Sequence, residues 1–133
     1  ITLGRSIGID VEQIKPDRDH EKLAERFFHA GESRDLNALP EGERLAAFHQ
    51  CWTCKEAYLK ARGDGLHFPL DAFRVSLPPT APRLMSVREA PEEPEAWTLR
   101  WFDVGAGYAA ACAVRGRGLG WEFWDAPYWE AGR

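Results

Sequence analysis

The chain begins with a short alternation of apolar and polar positions. Within residues 3–12, Ile7, Ile9 and Val11 are interleaved with Gly8, Asp10 and Glu12. A two-residue period predicts a strand, with Ile7, Ile9 and Val11 on the face that enters a core and the carboxylates on the opposite face. Pro16 and the run Asp17-Arg18-Asp19 predict a turn. From Glu21 to His29 the period lengthens: Leu23, Ala24, Phe27 and Phe28 fall at helical spacing, with Gly31 as the expected stop. Glu32 to Leu39 predicts a short further helix before Pro40. The longest periodic segment runs from Glu41 to Arg62, where Leu45, Phe48, Trp52 and Leu59 cluster within a sector of about 60°. Gly63 stands where a C-terminal cap is expected. Beyond it the period returns to two. Phe73 to Leu77 alternates and stops at Pro78-Pro79, and Leu84–Arg88, Trp97–Val104 and Tyr108–Arg115 predict further strands, with an exposed turn over Ala90–Glu95. This order predicts an α+β fold with a mainly antiparallel sheet packed against a long helix.

Composition narrows the function classes. A chain of 133 residues suits a single domain with its own core. The net charge of −4 argues against a broad nucleic-acid or anionic-membrane footprint. No apolar run approaches the ~20 residues of a membrane span. The chain starts at Ile1 with nothing that reads as a signal peptide, so it is expected to be an internal or trimmed piece of a cytoplasmic protein. Three cysteines in no framework spacing suit a reducing compartment. Cys51 and Cys54 do form a C-x-x-C. A redox pair needs a helix N-terminus and a zinc site needs a second ligand pair, whereas this one sits deep in a helical pattern, so packing is the expectation and redox or metal binding the alternative. His20, His29, His49 and His67 are expected to be surface or packing residues.

The carboxylates change the picture. Gly8, Asp10 and Glu12 share a strand face, where two adjacent like charges call for a cation or a proton and the glycine leaves room for close approach; two ordinary solvated acids would give the same spacing. On the long helix, Lys55 and Glu56 flank the apolar stripe and Lys60 follows Glu56 by one turn, a spacing that also suits a simple helix-surface ion pair. Acids with lysines nearby suit Mg²⁺ bound together with phosphate, since Mg²⁺ takes one or two protein carboxylates and leaves other positions to water and substrate oxygens. Gly63-Asp64-Gly65 follows a helix instead of opening one, which excludes a glycine-rich phosphate loop.

The run Ile7-Gly8-Ile9-Asp10-Val11-Glu12, followed about forty residues later by Trp52-Thr53-Cys54-Lys55-Glu56-Ala57-Tyr58-Leu59-Lys60, resembles the paired signature of the 4′-phosphopantetheinyl transferases, in the surfactin-synthetase-activating form. Supporting matches are Arg26-Phe27-Phe28, Glu32, Gly63-x-Gly65-Leu66 and Gly107-Tyr108-x-x-x-Cys112. The resemblance implies transfer of the phosphopantetheine arm of coenzyme A to a serine of an acyl or peptidyl carrier protein, with release of 3′,5′-ADP. It implies Asp10, Glu12 and Glu56 as Mg²⁺ ligands and Glu56 as general base on the serine, directly or through water. Lys60 would hold a phosphate and stabilise the leaving group, and Lys55 would face the pyrophosphate. Enzymes of this type resemble two similar halves, and this chain matches the C-terminal one. A missing N-terminal half or self-association is therefore expected to complete the site, the alternative being a non-catalytic fragment that binds coenzyme A, a carrier protein or a second subunit. The aromatic tail (Trp121, Phe123, Trp124, Tyr128, Trp129) would pack in the core or on such a partner.

Overall fold

The computed structural model describes residues 4–63 and 67–121. The calls on Gly65, Leu66 and the tail beyond Trp121 lie outside the described residues. Strand β1 (Ile7–Gln13) leads into helices α1 (His20–Phe27), α2 (Ala30–Asn37) and α3 (Glu41–Arg62). Strands β2 (Phe73–Val75) and β3 (Leu84–Val87), the single turn α4 (Glu93–Ala96), and strands β4 (Trp97–Trp101) and β5 (Tyr108–Arg115) follow. The fold is α+β as expected. One antiparallel sheet has the order β1-β5-β4 and a second pairs β2 with β3. Helix α3 lies across β1 and β5.

Local chemistry accounts for most of the boundaries. The Asp19 carboxylate accepts from the Lys22 N–H at the start of α1. His29 and Glu32 form a reciprocal capping box on α2, and α3 ends at Gly63 with a φ of 83° that glycine adopts freely. Gly31 does not stop a helix. It lies inside α2, where an added Cβ would stand 2.7 Å from the Arg74 guanidinium carbon. Strand β4 ends at Trp101, short of the expected Val104, and α4 fills part of the expected turn after Ala90.

The orientation of β1 is the main correction. Gly8, Asp10 and Glu12 face α3, whereas Ile9 and Val11 point away from it and are each 48 % exposed. The physical reason lies in backbone contact. A Cβ on Gly8 would stand 2.1 Å from the Ala57 carbonyl oxygen and 2.5 Å from the Ala61 nitrogen, so strand and helix touch at main-chain distance. Ala111 and Ala113, beside β1 on the central strand, are buried against the same helix and keep that surface flat. Branched side chains would hold the two elements apart.

The core fills the rest of the α3 surface. Phe48 stacks on Phe28, and Tyr58 meets Phe73 and Trp97. Burial on α3 extends well past the expected stripe to Cys51, Cys54, Lys55, Ala57 and Ala61. Among the described residues no helix is long and apolar enough to cross a membrane.

Candidate active site at the helix–strand crossing

The close contact at Gly8 delivers the next inward residue, Asp10, onto the C-terminal half of α3. Its carboxylate is only 6 % exposed, and the Lys60 ammonium lies 2.7 Å from Oδ1. The same ammonium donates to the Ile9 carbonyl at 3.2 Å and remains half exposed. Oδ2 of Asp10 is buried without a hydrogen-bond partner. An ionised oxygen in that state is costly and marks a place for a cation or a donor.

Two further carboxylates crowd Asp10. Burial pushes the Glu12 carboxyl above the usual range, and the Asp10 and Glu56 charges push in the same direction. The Trp52 indole opposes them. Glu56, on α3 one turn before Lys60, is likewise pushed up by burial and then by Asp10, with Lys60 opposing. One ammonium therefore faces three carboxylates. Oxygen-only donors with excess negative charge suit a hard divalent cation. Among the described residues, no three such side chains already surround a common point, and Oδ1 of Asp10 is engaged by Lys60.

The structure thus brings together Asp10, Glu12, Glu56 and Lys60. It does not bring Lys55 to them. Lys55 points to the other side of α3 and is fully buried, with Nζ 2.7 and 2.8 Å from the two Glu32 oxygens and 2.6 Å from the Phe73 carbonyl. Glu32 also accepts from the Val75 N–H at 2.8 Å and the His29 N–H at 3.0 Å. The Lys55 ammonium sits 3.9 Å over the Phe73 ring. This pair ties α2, α3 and β2 into the core, and no part of the ammonium is open to a pyrophosphate. The signal was present in the chain: Cys51, Cys54, Tyr58 and Leu59 surround Lys55 on the helix surface, whereas Glu56 has Lys60 one turn on. The acceptor role of His49, described below, had no such signal.

The cysteines take the packing role. Burial drives the Cys51 thiol well above its ordinary range and the Cys54 thiol to about 12, which removes the thiolate a redox pair needs.

An antiparallel α+β layer with an acidic, lysine-flanked crossing of strand and helix defines the class. The chain belongs to the 4′-phosphopantetheinyl transferase superfamily, whose family model matches residues 6–113. Among curated relatives it is 42 % identical to the 4′-phosphopantetheinyl transferase HetI of Nostoc sp. over 90 % of this chain and 48 % of that protein. It is 36 % identical to the 4′-phosphopantetheinyl transferase Sfp of Bacillus subtilis over 81 % of this chain and 46 % of that one. The chain spans about half the length of these relatives. The fold is similar to that of the holo-[acyl-carrier-protein] synthase of Thermotoga maritima, with a TM-score of 0.67 and 23 % identity over 83 % of this chain and 62 % of that one.

Proposed function

We propose that this chain carries the acid and lysine side of a 4′-phosphopantetheinyl transferase, which moves the phosphopantetheine group of coenzyme A onto a serine of an acyl or peptidyl carrier protein. The observation that carries this reading is the buried, partnerless Oδ2 of Asp10 beside Lys60, with Glu12 and Glu56 crowded against it. Asp10, Glu12 and Glu56 are the residues that would hold Mg²⁺. When bound, the ion neutralises charge on the coenzyme A pyrophosphate.

The remaining work falls to the protein's own side chains. Lys60 is half exposed, so its ammonium can share a phosphate oxygen without leaving Asp10. The serine oxygen forms a bond to the β-phosphorus of coenzyme A, the bond from that phosphorus to the bridging oxygen breaks, and 3′,5′-ADP departs carrying the freed charge. Glu56 accepts the serine proton, through a water in the form favoured here. The water-mediated form is favoured because a carboxylate that also ligates a cation is a weaker base than a free one.

The half-length match supports completion of the site by a further segment or a second copy; the open Ile9–Val11 face, on the far side of β1 from the acids, is an apolar surface such a partner would cover. The experiment is mass measurement of an apo-carrier protein after incubation with the chain, coenzyme A and Mg²⁺. A gain of one phosphopantetheine group is expected, and Glu56→Gln is expected to slow it by about 10²–10⁴-fold. Near-normal transfer by Glu56→Gln removes the base role. No transfer by the chain, even with its longer relatives' missing half supplied, favours a fragment that only binds.

A further inference from the structure

A buried titratable side chain of α3 that neither the mechanism nor the Lys55–Glu32 pair uses is His49. It is 3 % exposed. Its Nδ1 is 2.8 Å from the Leu45 carbonyl and its Nε2 is 3.3 Å from the main-chain nitrogen of Lys15. A carbonyl only accepts and a main-chain N–H only donates, so the two partners fix the neutral tautomer with the proton on Nδ1 and the lone pair on Nε2. The Phe48 ring meets the imidazole edge-on at 5.1 Å. The charged and titratable groups facing it are Arg18, His20 and Lys15, all of which disfavour a positive ring.

Lys15 is the third residue after Glu12. The ladder of β1 with β5 ends at the pair Gln13 and Tyr108, and the Ile14 N–H makes one more bond, 2.8 Å to the Gly107 carbonyl. Past that point the strand has left its sheet partner. The acceptor that the Lys15 N–H finds belongs to α3, seven residues before Glu56 on the same helix. Of the two bonds that hold this exit, the one to Gly107 ties it to the sheet, and the one to His49 ties it to the helix that carries Glu56 and Lys60.

We propose that His49 is a positioning residue of the acid cluster: through Lys15 it fixes the exit of β1 on α3 and so keeps the Glu12 carboxylate turned toward Asp10 and Glu56. This inference rests on the reading of those three carboxylates as cation ligands. Groups that orient metal ligands without touching the metal are typically worth about 10–100-fold in metal affinity.

The test compares the unaltered chain with His49→Phe, His49→Gln and Glu12→Gln. The probe is Mn²⁺, with its affinity read by electron paramagnetic resonance in the presence of saturating coenzyme A. The exchange rate of the Lys15 amide is read separately without metal. His49→Phe keeps the ring and loses the acceptor. It is expected to speed exchange at Lys15 by at least ~10-fold and to weaken Mn²⁺ by a similar factor. His49→Gln, whose amide oxygen accepts in place of Nε2, is expected to return both to within about 3-fold. A core control, Val87→Ala, matched to the loss in melting temperature, is expected to leave both unchanged. Unaltered Lys15 exchange in His49→Phe overturns the proposal, and so does unaltered Mn²⁺ affinity in His49→Phe where Glu12→Gln loses it. Full Mn²⁺ affinity in Glu12→Gln overturns the cation-ligand reading itself, so the two failures are told apart.

Discussion

Replacing Lys55 by Met separates a structural lysine from a phosphate-binding one. The substitution keeps the side chain out to Cε and removes the ammonium, leaving the Glu32 carboxylate in a fully buried site with only the Val75 and His29 N–H groups and leaving the Phe73 carbonyl without the Nζ donor. Removing one member of a buried ion pair costs about 3–5 kcal/mol, because the other charge stays behind uncompensated. In a chain of this size each kcal/mol is worth roughly 3–5 °C, so the melting temperature is expected to fall by about 10–20 °C. Glu32→Gln is expected to cost a similar amount, since it strands the ammonium. The double variant Glu32→Gln/Lys55→Met is expected to lose less than the sum of the two by about 2 kcal/mol, because no charge is then left alone. Urea and thermal unfolding of the four proteins complete the cycle, and coenzyme A affinity is measured well below the lowered melting point. A loss under about 1 kcal/mol in Lys55→Met, joined to a coenzyme A affinity weakened more than ~10-fold, would refute the reasoning and return Lys55 to the pyrophosphate.

Two other predictions follow from the same geometry. Gly8→Ala forces a carbon to within 2.1 Å of the Ala57 carbonyl and is expected to cost about 3 kcal/mol or more, whereas Gly42→Ala meets nothing within 4 Å in the first turn of α3 and is expected to be neutral or stabilising by up to about 1 kcal/mol; equal unfolding midpoints for the two variants would sink the main-chain contact. Burial holds the pKa of the α2 cap His29 below 6.5, with Lys55 and Arg74 adding to the effect, so the unfolded chain takes up this proton at a higher pH than the folded one and stability drains away as pH falls below about 6.5. Glu12, Glu32 and Glu56, raised in the folded chain, act in the opposite sense nearer 4.5. His29→Asn keeps an N-cap acceptor without the titration, so its melting temperature is expected to gain on the unaltered protein from pH 7.5 to 5.5, and parallel curves would count against the assignment.

How much of this was legible in the chain varies from element to element, for physical reasons. Helix α3 could be bounded to the residue, because Pro40 and Gly63 punctuate it and a 22-residue period is hard to mistake. The strands were legible as strands, and the pairing of Asp10 with Glu12 on one face followed from the pleat. Which face turned inward did not follow. Alternation says which side chains travel together, and hydrophobicity suggested that Ile7, Ile9 and Val11 lead. The deciding quantity was how closely two backbones can approach, and it was written in Gly8, Ala57 and Ala61, small residues on two elements whose contact only the fold reveals. Lys55 was misplaced for a related reason. A charge beside an apolar stripe reads as marginal until a partner such as Glu32 arrives from another helix to make deep burial tolerable.

The Gly8 crossing also explains why the acids gather where they do. At main-chain contact there is no layer of side chains between β1 and α3, so the next inward residue of the strand cannot swing to solvent and is pressed against the helix turn that carries Glu56 and Lys60. Asp10 is thereby denied water on Oδ2 and offered a single ammonium on Oδ1. Glu12 and Glu56 add charge beside it, and burial first, then the Asp10 charge, pushes both carboxyls up and not down. Lys55 with Glu32 shows what this chain does when a buried charge serves stability: every oxygen is matched, and the pair lies out of reach. The two lysine–carboxylate pairs thus differ in kind: one is saturated and sealed, and the other is short of partners on Oδ2 and open at Lys60.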